Sequence, residues 1–287
     1  MHTHGETSPL GFTGERVLPD EPEWAWCFQA HKFGYDDLAA RIAPGARVLD
    51  VGCGEGYGAE LLARSASQVV ACDYAYEAVA HARAKYRDAA VGWVVCDAQR
   101  LPFREGAFDV ISSLQVIEHF PDTEAHLTGV ARALVPGGWH YVATPNIDLM
   151  SEAEKDNPYH VRDFTAPDLR ATLERHFATV ELLGMFYRDD SPRVRAMKEA
   201  EARDEAERPL LQRVERLLRA LPGPIRVRLR PLARRLAGLA PESADEARNA
   251  ITAEDFVARA PAKESFCLIA IARTAPAPAR GAGENDS

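Results

Sequence analysis

No run of apolar residues in this sequence is long enough to cross a bilayer. The first residues, "MHTHGETSPLGFTGER", lack the charged start and apolar core of a secretion signal. A cytoplasmic, reducing location is the expectation. Cysteine is sparse: Cys27, Cys53, Cys72, Cys96 and Cys267 are scattered, odd in number and form no CxxC pair. That argues against a disulfide framework or a zinc module. Four of them (Cys53, Cys72, Cys96 and Cys267) lie in or beside apparent strands, where cysteine serves as a small apolar residue. Positive charge is also in short supply, with 34 Lys and Arg against 43 Asp and Glu. The resulting net charge of −9 disfavours bulk binding of nucleic acid. No metal-ligand spacing stands out, so no metal is expected.

What is present is an alternation of strand and helix patterns. "RVLDVG", "QVVACD", "VGWVVCD", "FDVISSL" and "GGWHYVATPN" read as strands, and "ATVELLGMF" and "ESFCLIAIAR" complete the set. Helices fall between them over residues 57–65, in "YEAVAHARAKY", around residues 125–134 and in "TAPDLRATLERHF". Thr165 is the predicted N-cap of the last, with Pro167 in its first turn. Such alternation implies a mainly parallel sheet covered on both faces. The expected organisation is an extension with a helix over the sheet edge in residues 1–46, then a core of 47–190 and 262–274. A basic helical insertion occupies 191–261, and a disordered Pro-, Ala- and Gly-rich tail 275–287.

The stretch "RVLDVGCGEGYGAELLA" joins a strand to a helix through glycines, a turn that lets a ligand approach the backbone. It has no Walker lysine followed by Ser or Thr, which disfavours a nucleoside triphosphate. Asp50, two residues before Gly52, would repel a pyrophosphate but suits a ligand carrying ammonium and sulfonium groups. Asp73, at the end of the second strand, stands where an acid accepts from ribose hydroxyls, in dinucleotide and S-adenosylmethionine sites alike.

The pieces "VLDVGCGEGYG", "CDYAYEAVAHAR", "CDAQRLPFREGAFDVI", "QVIEHF" and "ALVPGGWHYVATPN" follow in order over about a third of the chain. Through them it resembles the class I S-adenosylmethionine-dependent methyltransferases, especially the type 11-like bacterial family. The resemblance implies an α/β, Rossmann-like, seven-stranded, mainly parallel sheet with an antiparallel last strand. It implies S-adenosylmethionine as cofactor, with Gly52, Gly54 and Gly56 turning around its methionine part and Asp50 holding the amino group. Asp73, followed by Tyr74, would bind the ribose. Asp97 would accept from the adenine amino group beside Ala98, and Leu114 and Gln115 would floor the sulfonium. Asp109 reads instead as a cap at the start of the fourth strand. "FTGERVLP" and the His31–Tyr35 spacing look like an extension of some bacterial members, in which Glu15, Arg16, His31 and Tyr35 close over the cofactor, Arg16 facing its carboxylate.

Two histidines follow strands on the side where open α/β sheets bind ligands: His119 after the fourth and His160 after the fifth. Either imidazole can take a proton near neutrality, and one of the two is the expected base; loop organisation or capping is the plain alternative for both. The insertion carries Arg208, Arg213, Arg216, Arg219, Arg226, Arg228, Arg230, Arg234 and Arg235, with leucines at helical spacing. A packed cap with solvated arginines is one account. Recognition of an anionic acceptor, a phosphorylated or uronic sugar or a lipid-linked glycan, is the other, with peripheral contact at the inner membrane surface. The expected activity is methyl transfer to a small molecule or glycan, at oxygen. The rivals are N- or C-methylation in a natural-product pathway and a catalytically silent, cofactor-binding or membrane-associated scaffold.

Overall fold

The protein is described from a computed structural model, in which residues 17–19, 25–150, 155, 157–218, 229, 232 and 244–278 are described. Arg16 and Glu15 lie outside the described residues. So does the basic run beyond residue 218 apart from positions 229 and 232, and so does the tail from residue 279.

The described residues form two compact units: those within 1–18, 31–186 and 258–287 the first, and those within 19–30 and 187–257 the second. In chain order, α1 (Ala25–Arg41) leads to β1 (Arg47–Val51), α2 (Tyr57–Leu62), β2 (Gln68–Asp73), α3 (Tyr76–Lys85), β3 (Val91–Val95) and β4 (Phe108–Leu114). Then follow α4 (Thr123–Ala133), β5 (Leu134–Pro145), α5 (Ala166–Leu173), β6 (Thr179–Tyr187), α6 (Pro192–Leu218), α7 (Ala244–Asn249), β7 (Phe256–Arg259) and β8 (Cys267–Arg273). The sheet order is β3-β2-β1-β4-β5-β8-β6-β7. Strands β1 to β5 pair in parallel, whereas β8 is antiparallel to both β5 and β6. Among the described residues, eight strands stand where seven were expected. The extra one is β7, four residues at the sheet edge within a stretch expected to be helical insertion.

The central strands read as near-continuous apolar runs because helices cover both faces. Leu49, Val51, Ile111, Val142, Leu268 and Ala270 belong to one buried core, together with Leu127 and Val130 of α4 and Leu169 and Leu173 of α5. Two polar devices fix the ends of elements. Asp109 accepts from the backbone N–H of Arg47 at 2.8 Å and from its guanidinium at 2.9 and 3.0 Å, tying the start of β4 to the start of β1. Thr165 caps α5, its Oγ1 accepting from Asp168 N–H at 3.2 Å.

The second unit is built on α6, α7 and a polar knot around Asp255. The Asp255 carboxylate accepts from Ser191 Oγ at 2.6 Å, from Thr252 N–H at 2.8 Å and from the Arg193 guanidinium. Val194, Met197, Ala200, Ala247 and Ile251 are among its buried apolar residues. Among the described residues no helix is long and apolar enough to cross a membrane.

Candidate functional site

The chain runs outward from β1 through β2 to β3 and then returns to place β4 on the other side of β1. Loops leaving β1 and β4 therefore diverge, and the gap between their C-terminal ends is where open α/β sheets take ligands. A cleft of about 120 Å³ occupies that place. Its wall is made by Gly52 to Glu55 and Tyr57 after β1, Asp73 and Tyr74 at the end of β2, and Leu114 to Val116, His119 and Phe120 after β4; Val17, His31 and Tyr35 close it.

Each wall has a local reason. Gly54 has φ +51°, and a Cβ placed on it would meet no atom within 4 Å. It keeps the turn bare beside open space, as close approach of a ligand to the backbone requires. Gly56, at φ +100°, precedes α2, and a Cβ there would stand 2.7 Å from Ala82. Asp73 holds the turn from the other side, accepting from Gly54 N–H at 3.0 Å and Ala75 N–H at 2.9 Å. Gln115 adopts φ +55°, and its Nε2 donates to Cys267 Sγ at 3.3 Å. Tyr74 is 69% exposed and offers an aromatic face at the rim.

Asp50 lies behind the wall. It is fully buried and is not part of the wall. Its carboxylate accepts from Ser112 Oγ at 2.8 Å and from Tyr35 Oη at 3.3 Å. Burial pushes its pKa up to about 7, against the pull of those two donors. Tyr35 is thus the wall residue, with Asp50 behind it. Asp97 and Ala98 also lie outside the wall. Asp97 is exposed and one of its oxygens caps its own turn, accepting from Gln99 N–H at 2.8 Å. The Ala98 carbonyl accepts from His126 Nδ1 at 3.0 Å.

His119 and His160 do come together, with ring centroids 5.3 Å apart. His119 is in the wall, and its Nδ1 donates to the Tyr159 carbonyl at 2.9 Å. His160 Nδ1 donates to Asp163 Oδ1 at 2.9 Å. Glu118 completes the group, 1% exposed, with Oε2 accepting from Thr144 Oγ1 at 3.0 Å. Burial raises the Glu118 pKa, partly offset by the adjoining imidazoles.

Sequence reasoning missed Glu55, Tyr57, Val116 and Phe120 as wall residues. Glu55 is a 2%-exposed carboxylate between Tyr86 Oη at 2.8 Å and Lys85 Nζ at 2.6 Å, joining the glycine turn to α3. Tyr57 hydrogen-bonds His31 Nδ1 at 3.2 Å and packs edge-on against Tyr35. Burial lowers the His31 pKa to about 4. The only signal for Tyr57 was its place between Gly56 and Gly58.

Comparison with known proteins meets the same residues. A family model described as a methyltransferase domain matches residues 49–142. A Mycolicibacterium smegmatis protein named "Probable S-adenosylmethionine-dependent methyltransferase" is 38% identical over 183 residues, 63% of this chain and 70% of that one. A ubiquinone biosynthesis O-methyltransferase of Rhizobium rhizogenes is 37% identical over 123 residues, 42% of this chain and 50% of that one. Among solved structures, an S-adenosylmethionine-dependent methyltransferase of Thermotoga maritima superposes with a TM-score of 0.57 at 13% identity. That match covers 88% of this chain and 92% of the other, a likeness of fold.

Proposed function

We propose that this chain, which belongs to the S-adenosylmethionine-dependent methyltransferases, moves a methyl group to an oxygen atom of a small-molecule or glycan acceptor. One observation carries the reading: the glycine turn, Asp73 and His119 share the wall of a single cleft at the sheet's switch point. The cofactor, when bound, supplies a methyl group on a positively charged sulfur. Bare backbone at Gly54 is the cradle for its amino-acid part, and the Asp73 carboxylate keeps acceptor capacity for ribose hydroxyls. Asp50, behind Tyr35, favours a cationic guest, whose charge would in turn favour its ionised form. Asp97, one strand outward from Asp73, is assigned to the adenine amino group, with Ala98 beside it. Leu114 and Gln115 floor the sulfonium.

Methyl transfer is an in-line displacement, so holding acceptor and methyl in register supplies much of the acceleration. A hydroxyl acceptor must also lose its proton, and His119 lines the cleft with the His160 ring beside it. A base so placed contributes about 10²–10⁴-fold. The oxygen assignment draws support from the O-methyltransferase relative. The anionic character of the acceptor, and contact with a membrane surface, rest on the arginines over residues 208–235 of the sequence.

The test is calorimetric titration with S-adenosylmethionine beside Asp73→Asn, followed by transfer of labelled methyl to hydroxylated anionic sugars and lipid-linked glycans. Loss of a charge-assisted hydrogen bond predicts about tenfold or more weaker binding by the variant. Label recovered on oxygen supports the reading. Label on nitrogen or carbon overturns the acceptor assignment, and cofactor binding without turnover on any acceptor favours the silent scaffold.

A further inference from the structure

Glu118, His119 and His160 each present a ligand atom within 4.8 Å of the other two. They come from two loops laced together by the backbone, since the Glu118 carbonyl accepts from Val161 N–H at 2.9 Å and Arg162 N–H at 3.1 Å. Both histidines spend Nδ1–H on a fixed acceptor, one a carbonyl and the other a carboxylate. Each ring is thereby set as the tautomer whose Nε2 carries the lone pair, and among the described residues nothing hydrogen-bonds either Nε2. Such an outer partner is what orients a metal-binding histidine and raises its basicity. The Glu118 carboxylate is buried, and among the described residues no lysine or arginine pairs with it. A buried carboxylate is costly to ionise unless a counter-charge meets it.

We infer that these three side chains form a site for one divalent transition-metal cation of the zinc, manganese(II) or iron(II) class. Two imidazoles and one carboxylate suit such borderline cations better than magnesium or calcium, which take oxygen ligands. Three protein ligands leave a coordination position free, the pattern of catalytic rather than structural sites. His119 belongs to the cleft wall, so that free position faces the acceptor. Sequence spacing gave no hint of it, because His160 lies 41 residues beyond His119 and only the fold joins them.

The proposal rests on the methyl-transfer reading of the cleft and changes the role of the two histidines in it. The cation binds the acceptor hydroxyl and lowers its pKa, so the proton passes to solvent. The oxygen lone pair forms the bond to the methyl carbon, and the carbon–sulfur bond breaks with its electron pair retained by sulfur. The positively charged cofactor becomes a neutral thioether. The imidazoles act as ligands in this step and not as bases.

The experiment uses the full chain after treatment with chelator, titrated with ZnCl₂ by calorimetry and with CoCl₂ by visible absorption. S-Adenosylmethionine affinity is measured on every sample as a check that the cleft is intact. We expect one zinc per chain and intense cobalt bands of low coordination number. His160→Ala and Glu118→Gln should abolish both, and Asp163→Asn should weaken zinc binding by about 10–100-fold, the usual cost of losing an outer partner. Absence of zinc uptake, or uptake unchanged in both ligand variants, overturns the site. Full methyl transfer by the metal-free chain overturns its catalytic role and returns the histidines to the position of bases. Zinc binding without cofactor binding would fall on the methyltransferase reading alone.

Discussion

Tyr35 shows how one side chain turns a buried charge into part of a binding wall. Its ring fills the space over Gly58, where a Cβ would lie 2.1 Å from Cζ, and its hydroxyl reaches Asp50. Gly58→Ala therefore has to push the ring aside and break that hydrogen bond. Overpacking of this sort costs about 1–3 kcal/mol. We expect a lower urea midpoint together with weaker cofactor binding by calorimetry; an unchanged affinity would remove Tyr35 from the wall's working parts. Residue roles were legible only in part. "GCGEGYG" and Asp73 announced a ligand turn because their chemistry depends on backbone and spacing. Whether a carboxylate faces a cleft, the core or its own loop is decided by side-chain direction, which spacing does not give: Asp50 is buried behind Tyr35, and Asp97 turns one oxygen to its own loop. The place of Glu118 in "QVIEHF" reveals no role by itself, since its burial beside two imidazoles depends on a loop about 40 residues away.

Elements were more legible than residues. Each central strand is an apolar run bounded by an acid or a glycine, and period and composition suffice to recognise that pattern. Thr165 was readable as a cap because Ser, Thr, Asp and Asn bond the free N–H groups of a first turn. Thr165→Ala should lower stability by about 1 kcal/mol, measured by urea denaturation, and leave cofactor affinity unchanged because α5 contributes nothing to the cleft wall. A loss much above that range would mean that the hydroxyl has a further role. Strand β7 escaped notice for an equally physical reason: "FVAR" is too short to show alternation, and its pairing is made at the sheet edge by a neighbour distant in sequence. Strand β5 begins at Leu134, earlier than expected, because "VPGG" is carried within it despite its turn-like composition.

At the scale of the whole molecule, buried titratable groups set opposing dependences on pH. His126 and His31 are both pulled down to about 4 by burial, and His140 is held well below its ordinary value. The unfolded chain binds their protons first. The stability they contribute is complete above pH 6.5 and is lost as pH falls from 6.5 towards 4. Asp50 acts in the other sense: with a folded pKa of about 7 its contribution is complete below 3.8 and is lost as pH rises to 7. Glu118, also raised by burial, acts in the same sense as Asp50; three groups outweigh two, so the urea midpoint should fall between pH 7 and pH 5. His126→Phe, a buried replacement of similar shape, should shrink that fall by about 2 kcal/mol. An equal fall in the variant would show that His126 is not the group being protonated. The sheet order carries one more consequence. Strand β8, late in the sequence, lies between β5 and β6 and pairs with both. While the ribosome is still making β8, the nascent chain exposes two open edges in the middle of its sheet. Those edges are templates for pairing with other chains. Synthesis stalled before Cys267 should therefore yield a protein that clumps and needs a chaperone, not a slightly shortened enzyme.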